Sequence, residues 1–112
     1  MIAHNMTTIV HPLNLIVSDE KDRAAKLHGP LFASAHEGYG VIAEEIMEAS
    51  KEAERLQKRL YCLLLGIQLD NNQEIIDAAD SIRNVAVNGA AELVQVAAMC
   101  EKLVVTIREE MK

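Results

Sequence analysis

Apolar positions recur along much of this chain at alternating steps of four and three. The clearest run is Ile42, Ile46, Ala49, Ala53, Leu56, Leu60, Leu63 and Ile67. That spacing draws one stripe along an α-helix, in the manner of a heptad seam between packed helices. Ser34, Ala35, His36 and Glu37 stand just before it and form a capping box, with Ser34 as N-cap and Glu37 three residues on. Gly38 and Gly40 weaken the first turns, or let a backbone or ligand come close. A second series follows through Ile75, Ala79, Ile82, Ala86, Gly89 or Ala90, Leu93, Val96 or Ala97, Cys100, Leu103 and Ile107. Between the two lies the polar cluster Asp70-Asn71-Asn72, and Asn71 with Glu74 repeats the capping pattern. Two long helices joined by so tight a turn predict an antiparallel hairpin.

The first residues are less regular. Residues 1–17 show no sustained period and read as a loosely ordered arm that includes His4, His11 and Pro12. Leu13, Leu15, Ile16 and Val17 would pack it onto the body. Ser18, followed by Asp19 and Glu20, reads as the start of a short helix that ends near His28-Gly29-Pro30. The expectation is an all-α chain, a single domain over residues 1–112. Its long antiparallel helical hairpin and short N-terminal helix would assemble into a four-helix-bundle homodimer or a higher oligomer. A hairpin alone buries one stripe per helix, and helical chains of this length often complete their core by association.

Composition narrows the function. A net charge of −6 argues against a partner that is a nucleic acid polymer, which calls for a basic face. Apolar runs are too short for a membrane span, and the first residues lack a secretory pattern, so a cytoplasmic protein is expected. Cys62 and Cys100 fall at apolar helical positions and read as buried free thiols.

The chemistry gathers around Glu44, Glu45 and Glu48, three acids in five residues. At about 100° per residue, Glu45 and Glu48 flank the apolar stripe, Glu52 extends that flank and Glu44 points away. A turn centred between Asp70 and Asn71 sets Glu45 opposite Val96 and Glu48 opposite Leu93. Glu92 and Gln95 then stand at the same level. Three carboxylates and an amide oxygen suit Mg²⁺, or Mn²⁺, rather than Zn²⁺. Glu74, Asp77 and Asp80 form a competing acidic set near the turn, roughly 40 Å from Glu45 along a continuous helix. They would join the site only if the first helix broke early or another subunit delivered them.

At these residues the sequence resembles a known family. Glu44-Glu45-Ile46-Met47-Glu48 looks like the EExxE motif of the MazG-like, all-α nucleoside triphosphate pyrophosphohydrolases. His36-Glu37-Gly38-Tyr39, Val41-Ile42 and Glu92-Leu93-Val94-Gln95-Val96-Ala97-Ala98-Met99 resemble a phage- and prophage-associated branch of it. The likeness covers roughly Leu27 to Leu103. It implies Mg²⁺-dependent hydrolysis of a nucleoside triphosphate to the monophosphate and pyrophosphate. It also implies that Glu45, Glu48 and Glu92 are metal ligands and Glu44 a ligand or general base. Gln95 stands where the superfamily's ExxD has its aspartate, which removes one negative charge. A catalytically weak or inactive helical oligomer, acting as a nucleotide-binding or protein-interaction module, is the alternative.

Other residues have two readings. His36 is a polar residue near a helix start or a phosphate contact. Tyr39 and Phe32 pack the N-terminal helix or stack on a base. Lys51, Arg55, Lys58 and Arg59 pair within their helix or hold substrate phosphates across a dimer.

Overall fold

The computed structural model describes the backbone of residues 2–112 and the side chains of residues 8–112. Three helices account for nearly all of it: α1 (Ile2–His28), α2 (Ala35–Gln68) and α3 (Asn72–Glu110). Among the described residues there is no strand.

The helix ends follow the sequence closely. Ser34 Oγ accepts from Glu37 N–H at 3.1 Å, and Glu37 Oε1 accepts from Ala33 N–H at 3.3 Å. At the start of α3, Asn71 Oδ1 accepts from Glu74 N–H at 3.1 Å. Gly29 takes a φ of 86° just past α1 and donates its N–H to Ala25 O at 2.9 Å, the expected role for a glycine after a helix. Asp70 does the same job after α2 with a φ of 52°, although it carries a Cβ. Its N–H reaches Ile67 O at 3.1 Å and that of Asn71 reaches Gly66 O at 3.0 Å.

The N-terminal expectation is corrected. The helix does not begin at Ser18, and residues from Ile2 onward are helical with Pro12 inside the run. A proline forfeits one hydrogen bond and tends to kink a helix, but it does not end this one. Met1 and the side chains of residues 2–7, which belong to the arm expected from the sequence, lie outside the described residues.

The chain divides into two compact units, Met1–Glu45 with Val94–Lys112, and Ile46–Leu93. In the first, Ala24, Phe32, Ala98 and Met99 form a buried cluster, with Val17, Val41, Ile42 and Leu103 packed against it. Phe32 is the anchor of the α1–α2 connection. Its N–H donates to Thr106 Oγ1 at 2.9 Å, and Thr106 in turn donates to Lys102 O at 2.9 Å. The Lys102 ammonium lies 4.5 Å from the centre of the Phe32 ring, so a buried lysine rests on an aromatic face. Gly38 is where α2 meets this cluster most closely. A Cβ there would lie 2.8 Å from Leu103 Cδ1 and 3.0 Å from Phe32 Cδ2.

In the second unit α2 and α3 pair antiparallel. Glu52 faces Gly89, Gly66 faces Ile75, and Arg59 Nε donates to Ser81 Oγ. The half-buried or buried positions of α3 in this unit run Ile75, Ala78, Ser81, Ile82, Val85, Gly89 and Glu92. Those of α2 run Ala49, Glu52, Leu56, Arg59, Leu63 and Gly66. Of the eight-residue stripe in α2, Ala49, Leu56 and Leu63 here and Ile42 in the first unit are therefore half-buried. Ile46, Ala53, Leu60 and Ile67 stay exposed. Cys62 and Cys100 are exposed free thiols, contrary to the burial expected from their apolar neighbours.

Candidate functional site

The acids sit on unbroken helices. Glu44, Glu45 and Glu48 lie on α2 between Ile42, which packs against the first unit's core, and Glu52, which faces Gly89. Glu92 and Gln95 lie on α3 between Gly89 and the buried Ala98. The division of the chain runs through this set. Glu44, Glu45 and Gln95 belong to the first unit, Glu48 and Glu92 to the second.

Their exposure is unequal. Glu44 is exposed, as its outward angle requires, and Glu45 is half-buried. Glu48 is exposed and pairs with Lys51, with Nζ to Oε1 at 3.2 Å. Glu52 is the more enclosed of the two, with 16 % of its side chain accessible, and it is paired with Arg55. Of the two acids foreseen on this flank, Glu52, four residues after Glu48, is thus the enclosed one. On α3, Glu92 and Gln95 are both half-buried.

On α1, Glu20 is an enclosed acid outside the set foreseen from the sequence. Its side chain is 14 % accessible. It accepts from Arg23 Nε at 2.7 Å and also from Arg23 Nη2. The Arg23 hydrogen bonds hold the carboxyl below the usual glutamate range. Burial opposes them, and the Arg23 charge adds to the lowering. The readable signal was an acid at the i−3 position to an arginine.

Among the described residues, no three His, Cys, Asp or Glu side chains gather so as to hold a metal ion. The donor types nevertheless suit a hard cation, since carboxylates and an amide oxygen are the ligands Mg²⁺ takes. His36, Tyr39 and Lys58 are exposed, and Tyr39 has 74 % of its surface accessible. Lys51, Arg55 and Arg59 are engaged by Glu48, Glu52 and Ser81. Glu74, Asp77 and Asp80 lie in the first turns of a continuous α3, where α2 does not break early to approach them. Asp77 accepts from Gln73 at 2.8 Å.

Two surface grooves occur in the second unit. One of about 230 Å³ is lined by small residues of both helices, among them Ala53, Ala86, Gly89 and Ala90, with Glu52 and Leu93 at its sides. The other, about 440 Å³, runs along α2 past Leu60, Tyr61, Leu64 and Ile67 and offers a phosphate no charged group. No helix among the described residues is long and apolar enough to cross a membrane. Compared with protein-family models, curated proteins and solved structures, the chain matches none.

Proposed function

We propose that this chain is a Mg²⁺-dependent nucleoside triphosphate pyrophosphohydrolase of the MazG-like kind, acting as a helical homo-oligomer. The observation that supports it is the placement of Glu45 and Glu92. Both are half-buried carboxylates on helix faces that otherwise carry Ile42, Ala49, Val96 and Met99. Carboxylates on adjoining helix faces are the hard oxygen donors that Mg²⁺ takes. Glu45, Glu48 and Glu92 would hold the ion, with the oxygen of Gln95 beside them. The bound ion would neutralise phosphate oxygens during attack between the α- and β-phosphorus. Glu44, exposed and next to Glu45, is placed to orient or deprotonate the attacking water. His36 and Tyr39, exposed at the start of α2, would meet phosphate and base, and Lys58 a phosphate delivered across the oligomer.

Association belongs to this reading. Ile46, Leu60 and Ile67 stand at multiples of seven residues on α2 and are 48 %, 60 % and 52 % accessible. A second hairpin laid on that stripe would complete a four-helix bundle and bring further side chains to the acids that one chain does not gather.

The test is pyrophosphate release from a panel of canonical and modified NTPs and dNTPs in Mg²⁺. The wild type is expected to release it with at least one substrate, and Glu48→Gln to lose most of that activity, about a hundredfold or more. No release from any substrate rejects the enzyme. The second reading, a nucleotide-binding or protein-interaction module without turnover, is favoured by the neutral Gln95 and would show nucleotide binding without pyrophosphate.

A further inference from the structure

We infer that the first half of α1 in one copy of this chain lies on the exposed row of α2 in a second copy. Ile9, Leu13 and Ile16 meet Leu60, Leu64 and Ile67 there, and a twofold axis repeats the contact. This pairing deepens the homo-oligomer proposed above by naming the surfaces that meet in it.

The two triads share the spacing i, i+4, i+7. That spacing keeps each within about 60° on one side of its helix and along about 10 Å of its length. Both are open to solvent in one chain. Ile9, Leu13 and Ile16 are 53 %, 37 % and 50 % accessible, and Leu60, Leu64 and Ile67 are 60 %, 48 % and 52 % accessible. The first triad is presented by a continuous helix, because α1 also supplies Val17 and Ala24 to the core of the first unit. Beside the second triad runs the uncharged groove of about 440 Å³, a shape that the apolar side chains of another helix enter as knobs enter holes.

Charge selects the occupant. None of the chain's 17 acidic and 11 basic residues comes before Asp19, and none falls between Leu60 and Leu69. Over most other surfaces, two copies with a net charge of −6 each would set acids against acids, which opposes docking. The two neutral stretches meet without that cost. Symmetry selects the arrangement. Paired with its own counterpart, either triad leaves the other uncovered in both copies. Laid one on the other and repeated by a twofold axis, both are covered. A stable interface removes roughly 1,600 Å² of surface. One triad against its counterpart falls well short of that, whereas both triads of both copies, with Val10 and Tyr61 beside them, bring it within reach.

Disulfide formation in the full-length chain tests the pairing, with Cys62→Ser and Cys100→Ser removing the exposed native thiols. Leu13→Cys and Leu64→Cys are made in that background as separate proteins. Each is the middle residue of its triad, so the two thiols oppose one another whichever way the helices run. Cross-linked dimer is expected when the two proteins are refolded together and oxidised, and not when either is oxidised alone. Leu13→Glu in the otherwise native chain is expected to keep its helical circular dichroism and to sediment at the single-chain mass of 12.4 kDa. Cross-linking of Leu64→Cys alone means row on row, and of Leu13→Cys alone means α1 on α1; either overturns the pairing. So does a disulfide within one chain carrying both cysteines when the mixture gives no dimer, since each α1 then covers its own row. A wild type that sediments as a single chain leaves both faces to a different partner and also overturns it. Pyrophosphate release separates this from the hydrolase. Cross-linking in the mixture alone, without release from any nucleotide, keeps the pairing and removes the enzyme. Release together with a row-to-row cross-link does the reverse.

Discussion

A single hydroxyl secures the connection between the first two helices. Thr106 is 2 % exposed, accepts from the Phe32 N–H and donates to its own helix at Lys102 O. Phe32 sits two positions after the proline that follows α1, where its N–H has no helical carbonyl to reach. Removing the hydroxyl while keeping the volume therefore leaves a buried donor unmet. Thr106→Val is expected to destabilise the protein by about 1–3 kcal/mol in urea unfolding. Thr106→Ser, which keeps the oxygen, should recover most of that difference. Equal stability of the valine variant and wild type would mean that water reaches Phe32 N–H and that the hydroxyl is dispensable. None of this was legible in the sequence. A threonine late in an apolar helix looks like tolerated surface, and its partner lies 74 positions earlier. Local spacing displays helix faces and caps, and it is silent on which side chain of another helix meets them.

At the scale of the helix, two glycines two residues apart with different surroundings make a matched test. Gly38 and Gly40 both lie inside α2, where glycine costs about 1 kcal/mol relative to alanine. Nothing lies within 4 Å of a Cβ at Gly40, whereas one at Gly38 would meet Leu103 and the Phe32 ring. Gly40→Ala should therefore raise stability by about 0.5–1 kcal/mol. Gly38→Ala gains the same propensity, but it must move the terminal methyl of Leu103 and press on a buried ring, an overpacking cost of about 1–3 kcal/mol. Its net effect is expected to be destabilising, read as opposite shifts of the two denaturation midpoints. Alanine raising both midpoints would show that Phe32 and Leu103 yield freely. The elements themselves were largely readable. Ser34, Asn71 and Gly29 mark helix ends that the hydrogen bonds reproduce, because caps are local chemistry. Pro12 misled, since a proline and the polar residues near it lowered the helical pattern of a segment that is nonetheless helical. The stripe on α2 was read as one face, but pairing with α3 divides it between a packed side and an exposed one.

That division decides what the whole molecule can do alone. In the second unit the buried hydrophobics are Ala78 and Val85, while Leu60, Tyr61, Leu64, Ile67, Ile76 and Val87 remain open to solvent. Scattered exposed apolar residues are ordinary, but a row at heptad spacing along one helix is the kind of patch that marks an interaction surface. A chain carrying six net negative charges does not collect on itself without such a surface, because like charges oppose the encounter. Self-association is therefore expected to be specific and to depend on this row. Equilibrium sedimentation at tens of micromolar should give at least twice the 12.4 kDa chain mass. Leu60→Glu combined with Ile67→Glu places carboxylates in the middle of the row and should shift the protein to monomer, with lower thermal stability as the bundle contacts are lost. The two substitutions lie in the second unit, outside the proposed acid set, so their effect on hydrolysis carries separate information. A monomer as active as the wild-type oligomer would show that one hairpin suffices for the chemistry. A wild type that sediments as a single chain would remove the bundle, and with it the route by which another copy supplies what one chain's acids lack.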